Sequence, residues 1–469
     1  MRNGGRKMFQ GKKYLVVGSG ISGIAAAKLL TEKGAQVVLY DSSTALTPKD
    51  LKEKMISNAP EGKEDTLLQM DFLTGELPET VKEQVDAVVL SPGVPVDQPW
   101  IEQMRLAGKP ILGEIELGFL LEKGRVAAIT GTNGKTTTTT LTGEIMKAYL
   151  GKDNVFVVGN IGKPYTLKAP LTREDTVTVA EISSFQLETV HTFRPKVSAI
   201  LNITPDHLNR HHTMEAYAAA KEAIAGNQTK EDTCVLNYDN SYTREFARRC
   251  PAKVVIFSSK EELADGYFLK GEQICKAEGG KVTELLNIHT DMNLVGICNV
   301  ENVMAAIAIT EAMQVPMETI LKVIKDFKAV EHRIEFVARK GGVDYYNDSK
   351  GTNPDAAIQG IRAMSRPTIL IGGGYDKQNE YDEWIESFDE KVKWLVLIGQ
   401  TREKIAACAR KHGFEKIRFA DSFEECLKLC TSLAQDGDAV LLSPACASWG
   451  MFPNYEERGR QFKEYVNAL

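Results

Sequence analysis

Short, almost continuously apolar runs alternate along the chain with longer stretches whose apolar residues recur at helical spacing. The runs, such as "VVLY" at 37–40 and "VLLS" at 440–443, are typical of strands buried on both faces of a parallel sheet. The amphipathic stretches between them are typical of the helices that connect such strands. The pattern therefore predicts an α/β fold with parallel sheets.

The alternation is interrupted near residues 118 and 329, which predicts three α/β domains in series over 1–118, 119–329 and 330–469. A length of 469 residues is too great for one compact core and fits three domains. Strands are predicted at 14–18, 36–41, 86–91, 126–130, 155–160, 176–182, 197–204, 233–237, 253–257, 343–348, 367–373, 394–400, 416–420 and 439–444. Helices are predicted at 135–150, 213–224, 300–313, 402–412 and 423–434. The third predicted strand leads into a Pro/Gly-rich loop, "SPGVPVDQP", at the kind of strand end where open α/β sheets bind ligands.

Composition and charge narrow the choice of partners. The formal net charge is −6 and the basic residues form no stripe, so we expect no nucleic acid partner. The basic N-terminus lacks the apolar stretch of a signal peptide, and no run approaches the about 18 apolar residues of a membrane helix. We therefore expect a cytoplasmic protein without integral membrane association.

The eight cysteines are predicted to be free thiols. The one close pair, Cys426 and Cys430, lies within an amphipathic helical pattern and lacks the CxxC spacing of a zinc knuckle. We expect no zinc site.

The first glycine-rich motif, "GSGISG", places Gly18, Gly20 and Gly23 between a predicted strand and a predicted helix. Such a turn lets a diphosphate approach the helix N-terminus, and Asp41 at the end of the next strand can accept from a ribose hydroxyl. A turn that only packs the helix on the strand is the alternative. The motif leaves open whether the nucleotide is NAD, FAD or a UDP-sugar.

The second motif, "GTNGKTT", follows the predicted strand at 126–130 and opens a helix. The backbone N–H groups of such a loop cradle phosphates, Lys135 can reach the β and γ oxygens, and the Thr136 hydroxyl can bind Mg²⁺. The motif therefore predicts ATP binding, with a plain strand-turn-helix corner as the alternative. The predicted ATP-binding residues of the loop are Gly131, Thr132, Asn133, Gly134, Lys135, Thr136 and Thr137.

Four polar residues lie at the ends of the next predicted strands or beyond them: Glu181, Asp206, His207 and Lys221. A carboxylate that follows a buried strand can hold a metal beside a P-loop threonine. Each also has a simpler interpretation, in which Glu181 caps a helix, His207 belongs to a turn and Lys221 is a solvated helix lysine. Their occurrence together after successive strands favours a metal site.

Nine motifs in order resemble those of the Mur ligases of peptidoglycan synthesis over essentially the whole chain. They are "GTNGKTT", "EISSFQLE", "NITPDHLNRH", "AYAAAKEAI", "NVENVMAA", "EHRIEFV", "NDSKGTNPDA", "GGGYDK" and "LLSPACASWGMF". The resemblance implies a Rossmann-like first domain that binds the UDP-substrate, a central P-loop ATPase-like domain and a Rossmann-like third domain that binds the amino acid. "SSFQLE", "GSGISG" and "LLSPACAS" resemble the members that join D-glutamate to UDP-N-acetylmuramoyl-L-alanine.

The resemblance implies ATP-dependent amide ligation with two Mg²⁺ ions. ATP phosphorylates the alanyl carboxylate, the amine of D-glutamate attacks the acyl phosphate, and a tetrahedral intermediate expels phosphate. By the family motifs, Lys135, His207 and Lys221 are catalytic. Thr136, Glu181, His207 and a Lys221 carbamylated by CO₂ bind metal, which requires an uncharged and partly buried Lys221 amine.

The same resemblance implies the remaining substrate contacts. ATP is expected to contact Asn299, Asn302, Arg333, Asp348 and Lys350. The UDP-substrate is expected to contact Gly18, Ser19, Gly20, Ile21, Ser22, Asp41, Ser91, Gly93, Asn160 and His207. D-glutamate is expected to contact Thr352, Lys377, Ser448 and Tyr455. A monomer that closes on ATP is expected.

Three alternatives stay open from the sequence. An ATP-binding regulator could use the P-loop without making an amide, and an NAD-binding redox protein could use "GSGISG". A related ligase could add a different amino acid, as the folate polyglutamate enzymes do.

Overall fold

The fold contains three β-sheets. The computed structural model describes residues 8–57, 67 and 69–469. The predicted fold class, three α/β domains in series, is confirmed. By contacts the chain divides into two compact units. The first unit comprises Met1–Phe268, Lys276–Val282 and Met304–Val323, and the second comprises Leu269–Cys275, Thr283–Val303 and Ile324–Leu469. The predicted domain boundaries at 118 and 329 stay a prediction.

The first sheet has the order β3-β2-β1-β4-β5, and its strands are all parallel. Its strands are β1 Lys13–Val17, β2 Gln36–Asp41, β3 Asp71–Thr74, β4 Ala87–Leu90 and β5 Ile111–Gly113. Its helices are α1 Ile21–Glu32, α2 Pro48–Ile56, α3 Glu79–Gln84, α4 Pro99–Leu106 and α5 Glu114–Phe119. The loop "SPGVP" therefore follows the fourth strand and not the third, because β3 was not predicted. Its four residues are partly exposed and give no buried-strand pattern.

The second sheet has nine strands in the order β14-β13-β12-β11-β10-β9-β6-β8-β7. They are β6 Arg125–Thr130, β7 Val155–Gly159, β8 Val177–Glu181, β9 Val197–Ile200, β10 Thr233–Asn237, β11 Lys253–Ser258, β12 Gly266–Lys270, β13 Gln273–Glu278 and β14 Lys281–Asn287. The helices are α6 Lys135–Leu150, α7 Tyr165–Lys168, α8 Ser184–Leu187, α9 Leu208–His211, α10 Met214–Glu222, α11 Ser241–Ala247, α12 Ile297–Ala312 and α13 Met317–Asp326.

Strands β12 to β14 were not predicted. Two-residue turns join them, with Gly271, Gly279 and Gly280 at positive φ, as in antiparallel hairpins. β14 is mostly exposed, so its sequence lacks the continuous apolar run that is typical of the parallel strands.

The third sheet has the order β15-β16-β20-β17-β18-β19. Its strands are β15 Glu335–Lys340, β16 Val343–Asn347, β17 Thr368–Gly372, β18 Val392–Leu397, β19 Ile417–Phe419 and β20 Ala439–Leu442. Its helices are α14 Pro354–Arg362, α15 Asp382–Glu386, α16 Arg402–Lys411, α17 Phe423–Leu433 and α18 Tyr455–Ala468. β15 is antiparallel to β16, whereas the pairs β16–β20, β20–β17, β17–β18 and β18–β19 are parallel. β15 was not predicted.

The five predicted helices are confirmed, and α6 has the predicted ends. Gly134 at φ 84° precedes α6 and Gly151 at φ 87° follows it, so both ends use a backbone conformation that suits glycine. Apolar residues of the sheets and helices form the cores, for example Val16, Leu30 and Leu39 around the first sheet. Over the part of the chain that the structure describes, no helix combines the length and apolar character needed to cross a membrane.

Candidate active site

The first glycine loop is shaped by two close backbone approaches. Gly18 has φ 98°, and a Cβ at this position would lie 2.7 Å from Ser91 Oγ. A Cβ on Gly23 would lie 1.8 Å from the carbonyl oxygen of Gly18. No atom of the described residues lies within 4 Å of the position of a Cβ on Gly20, which leaves space in front of the α1 N-terminus. The loop thus presents an open helix end of the kind that accepts phosphate.

We expect Gly23→Ala to destabilise the protein while Gly20→Ala does not. The added methyl group at Gly23 meets a backbone carbonyl, which cannot move without displacing β1, so the free energy of unfolding should fall by about 3 kcal/mol. At Gly20 the methyl group enters open space at an ordinary φ of −75°. The urea midpoints of the two variants check this, and equal midpoints would contradict it.

Asp41 at the end of β2 holds the glycine loop in place. Its Oδ2 accepts from Ser19 N at 2.9 Å and Ser19 Oγ at 2.6 Å, and its Oδ1 accepts from Ser43 N at 3.0 Å. Burial alone would raise the pKa of Asp41, but these hydrogen bonds outweigh it and lower the pKa. Asp41 is therefore an ionised acceptor. Ile21 and Ser22 are the first two residues of α1, at the open helix end, and Ile21 is 78% exposed.

The loop "SPGVP" connects the glycine loop to the second sheet's helices. Ser91 Oγ donates to the Gly18 carbonyl at 3.3 Å. Arg210 Nη2 donates to the Val94 carbonyl at 2.9 Å and to Glu188 Oε2 at 2.6 Å. Gly93 lies between these two attachments, with open space at its Cβ position. The predicted UDP-substrate residues of the first domain thus line one region that reaches the second sheet.

The P-loop is held by the loop that follows β9. Thr132 N donates to the Asn202 carbonyl at 2.9 Å, and Asn133 N donates to Asn202 Oδ1 at 2.8 Å. Lys135 Nζ donates to the carbonyls of Gly131 and Thr132 at 2.8 and 2.7 Å. The predicted loop therefore adopts a compact turn at the N-terminus of a 16-residue helix, and the N–H groups of a helix N-terminus suit phosphate.

Lys221 is the most unusual ionisable group near the P-loop. Its side chain is 1% exposed, its Nζ donates to the Gly131 carbonyl at 2.8 Å, and it lies 4.6 Å from the Tyr217 ring centroid. Burial lowers the pKa of Lys221 well below its usual value, and the neighbouring Lys135 cation lowers it further. The expected burial and low pKa are confirmed, and the interpretation of Lys221 as a solvated lysine is wrong.

Glu181 ends β8 directly beside β6, where it pairs in register with Ile129. Its Oε1 accepts from Asn160 Nδ2 at 2.8 Å. Its Oε2 is buried and has no hydrogen-bond partner among the residues that the structure describes. A buried carboxylate oxygen is costly without a partner, and a cation near the P-loop would supply one. The carboxylate therefore fits the predicted metal site.

His207 lies at the outer side of this region. It adopts φ 55° before α9, its side chain is 49% exposed, and its ring centroid is 4.9 Å from that of Phe185. Its Nε2 lies 3.4 Å from Asp206 Oδ2. His207 therefore faces solvent, where a substrate or an ion can reach it.

In the second unit, Asp348 follows β16 as a fully buried carboxylate. Its Oδ2 accepts from Ser443 Oγ at 2.7 Å and its Oδ1 accepts from Ile334 N at 3.2 Å. Burial raises the pKa of Asp348 to about 7, although Ser443 and Arg333 oppose this shift. Asp348 is thus a carboxyl group that can gain or lose a proton near neutral pH.

Other predicted residues of the second unit form an asparagine pair and two lysine–aromatic contacts. Asn302 Nδ2 donates to Asn299 Oδ1 at 3.1 Å on α12. Lys350 Nζ lies 5.5 Å from the Tyr455 ring centroid, and Lys377 Nζ lies 5.1 Å from that of Trp449. Ser448 is buried, and Thr352 N donates to the Lys350 carbonyl at 2.8 Å. Two lysines and several hydroxyl groups would suit an anionic ligand.

Family models match three stretches of the chain. They are described as Mur ligase MurD-like, N-terminal domain over 12–113, Mur ligase middle domain over 129–310, and Mur ligase, glutamate ligase domain over 332–446. Proteins called UDP-N-acetylmuramoylalanine--D-glutamate ligase from Lachnospira eligens and Lachnoclostridium phytofermentans are 55% and 54% identical to this chain, over 98% of it and 99% of each of them. The chain belongs to the Mur ligase family.

Solved structures agree with this Mur ligase's fold. The UDP-N-acetylmuramate-alanine ligase MurC from Thermotoga maritima aligns over 97% of this chain and 99% of its own, with a TM-score of 0.59 and 18% identity. MurF from Acinetobacter baumannii aligns over 97% of this chain and 93% of its own, with a TM-score of 0.61 and 16% identity. At such identities the likeness concerns the fold alone.

Several residues that position the ligase's site were not predicted. Asn202 holds the P-loop, and the Tyr217 hydroxyl lies 3.1 Å from Thr132 Oγ1. Tyr217 precedes Lys221 by four residues, which places both on one face of α10. This spacing is the feature of the sequence from which Tyr217 could have been predicted as a neighbour of Lys221. Arg458, buried at 3% exposure, donates to the Ser349 hydroxyl and carbonyl, and nothing in its sequence context indicates this.

We expect Asp348→Asn to remove a pH-dependent loss of stability from this Mur ligase. The folded protein holds the proton on Asp348 up to about pH 7, whereas an unfolded chain releases it near 3.8. The stability that Asp348 contributes is therefore fully present below pH 3.8. It is lost, by a few kcal/mol in total, as the pH rises from 3.8 through about 7. Thermal unfolding from pH 4 to 8 should show a flatter profile for Asp348→Asn than for the wild type or the exposed control Asp436→Asn. Parallel profiles would contradict the assignment.

Proposed function

We propose that this Mur ligase joins D-glutamate to UDP-N-acetylmuramoyl-L-alanine and converts ATP to ADP and phosphate. The proposal rests on sequence identity: over nearly its full length the chain is 55% identical to a relative called UDP-N-acetylmuramoylalanine--D-glutamate ligase. The P-loop and the buried Lys221 beside it support the ATP-dependent chemistry. Phosphorylation is needed because a carboxylate has no leaving group at neutral pH.

The chemistry proceeds in two balanced steps. A carboxylate oxygen of the alanyl group attacks the γ-phosphorus, ADP leaves and an acyl phosphate forms. The D-glutamate amine then attacks the acyl carbon, loses a proton and expels phosphate from a tetrahedral intermediate. Lys135 and the N–H groups of the P-loop bind and orient the phosphates, and they offset the repulsion between the two anions of the first step.

Thr136 and Glu181 would hold one Mg²⁺, and His207 with carbamylated Lys221 would hold a second. The buried Oε2 of Glu181, which has no hydrogen-bond partner in the described part of the chain, supports the first assignment. Mg²⁺, when bound, neutralises phosphate charge and polarises the γ-phosphoryl oxygens. Asn160 fixes the Glu181 carboxylate by its 2.8 Å hydrogen bond.

Carbamylation of Lys221 would convert a lysine into an anionic ligand. The neutral amine adds to CO₂ and releases one proton, so the amine must be uncharged. The low pKa that burial gives Lys221 supplies this form. Two cations at one carbonyl, Lys135 and Lys221 at Gly131, would also repel, and carbamylation removes that repulsion.

The proposal also includes the residues that would contact the UDP moiety, ATP and D-glutamate. The UDP moiety would be bound by the glycine loop and by "SPGVP", which already form one region with the second sheet's helices. Asn299, Asn302, Arg333, Asp348 and Lys350 would contact ATP. Thr352, Lys377, Ser448 and Tyr455 would bind D-glutamate, whose two carboxylates suit a lysine and hydroxyl groups.

An amino-acid panel tests the proposal. The purified protein is incubated with ATP, Mg²⁺ and UDP-N-acetylmuramoyl-L-alanine, and ADP release is measured with D-glutamate, L-glutamate, L-alanine, glycine or a diamino acid. ADP release should depend on both the UDP-substrate and D-glutamate. Faster release with another amine would refute the specificity, and release without an amine would indicate an ATPase instead of a ligase.

A further inference from the structure

A cluster of potential metal ligands lies in the third sheet's layer of helices, on residues that the proposed ligation does not use. Asp382 Oδ1, a His412 ring nitrogen and Cys408 Sγ all lie within 4.8 Å of one another. Within the described residues, this is the one group of three or more His, Cys, Asp or Glu ligand atoms that meet so closely. It combines three different donor types, which distinguishes it from a patch of surface acids.

The positions of these residues follow from two short helices. Asp382 and Glu386 lie four residues apart on α15, and Cys408 and His412 lie four residues apart at the end of α16. Each pair therefore occupies one face of its helix. The helices are fixed beneath the cluster by a shared core that includes Trp384, Ile405 and Ala409. The potential ligand atoms therefore belong to side chains of two helices that are packed against the same core.

The His412 ring lies between two carboxylates, those of Asp382 and Glu386. His412 Nε2 lies 2.8 Å from Asp382 Oδ1, and its Nδ1 lies 3.5 Å from Glu386 Oε1. In metal centres the second ring nitrogen of a histidine ligand commonly donates to a carboxylate, which leaves the first nitrogen free for the ion. Glu386 occupies the place of that carboxylate.

We propose that Asp382, Cys408 and His412 bind one zinc ion, with Glu386 as the hydrogen-bond acceptor that orients His412. Thiolate, imidazole and carboxylate together suit zinc better than Mg²⁺ or Ca²⁺, which prefer oxygen ligands. Zinc–ligand bonds of about 2.0–2.3 Å separate the ligand atoms by roughly 3–4 Å, close to the spacing of this cluster. The side chains of Asp382 and His412 are 37% and 21% exposed, so water can take the fourth position.

Lys411 provides an internal test of the site. Its Nζ lies 2.7 Å from Asp382 Oδ1 and competes with a metal for that oxygen. Removal of the ammonium in Lys411→Gln should therefore tighten metal binding by about two- to fivefold. If the cluster only joins two helices by ion pairs, Lys411→Gln gives no gain in metal affinity.

Cobalt(II) serves as the spectroscopic probe on the full chain after treatment with a chelator. The wild type should show thiolate-to-cobalt charge-transfer absorption that disappears when zinc is added. Cys408→Ser and His412→Ala should lose this band, Glu386→Gln should weaken cobalt binding by about tenfold, and Cys250→Ser, a partly buried cysteine of the other unit, should keep the band. Circular dichroism verifies that each variant is folded. No band in the wild type, an undiminished band in Cys408→Ser, or unchanged or weaker binding in Lys411→Gln would overturn the zinc site.

Discussion

Lys221→Ala is expected to reduce D-glutamate ligation by at least about 100-fold while the protein stays folded. Lys221 is 1% exposed and its Nζ contacts the Gly131 carbonyl of the P-loop, so the proposed carbamate would lie beside the triphosphate. Loss of that anionic ligand removes a metal position, and at the P-loop backbone it removes the one hydrogen bond to the Gly131 carbonyl that Lys221 donates. Stability should change little, because the wild type bears the cost of a buried amine next to Lys135. Initial rates and thermal midpoints measure the two effects.

Three further observations separate a carbamate from a lysine that merely fills space. Lys230→Ala, an exposed lysine in the loop before β10, should retain the wild-type rate. Wild-type activity should fall when bicarbonate and CO₂ are removed. A short carboxylic acid should partly restore Lys221→Ala, since it can occupy the ligand position. Full activity of Lys221→Ala would refute the metal-ligand role.

Glu181→Gln should also cost at least about 100-fold in rate and should raise the Mg²⁺ concentration needed for half-maximal activity. The glutamine has the same shape and can keep the contact with Asn160, but it lacks the negative charge that would bind the ion. Because the buried Oε2 of Glu181 has no hydrogen-bond partner among the described residues, a neutral side chain should not lower the free energy of unfolding.

The matched control is Glu144→Gln on α6. Glu144 forms a surface ion pair with Lys147 at 2.8 Å and is not part of the proposed site. It should leave both the rate and the Mg²⁺ requirement unchanged. An Mg²⁺ titration of Glu181→Gln that superimposes on the wild-type curve would show that Glu181 holds no metal.

The parallel core of the fold could be predicted from the sequence because its strands are apolar on both faces. β2 and β10 have their predicted ends, and α6 begins and ends as expected between two glycines. The hairpin strands β12 to β14 and β15 could not be predicted this way. β14 and β15 are mostly exposed or partly exposed, and the pairing within the hairpins depends on turns at Gly271, Gly279 and Gly341.

The candidate site shows a similar division. The P-loop is visible in the sequence because its spacing dictates its shape, whereas Lys221 alone resembles any surface lysine. Burial by Tyr217 and contact with Gly131 distinguish it, and both depend on tertiary packing. The sequence likewise indicated no zinc site. Cys408 and His412 are only two potential ligands, and the third, Asp382, lies on another helix that tertiary packing places beside them.

Isotope transfer tests the proposed ligation most directly. UDP-N-acetylmuramoyl-L-alanine labelled with ¹⁸O in its alanyl carboxylate is incubated with ATP, Mg²⁺, D-glutamate and the protein, and the products are analysed by mass spectrometry. The proposed mechanism predicts UDP-N-acetylmuramoyl-L-alanyl-D-glutamate and one ¹⁸O atom in each phosphate released, because the carboxylate oxygen that attacks ATP leaves with the phosphate. Phosphate without ¹⁸O, or ATP hydrolysis without the D-glutamyl product, would contradict it.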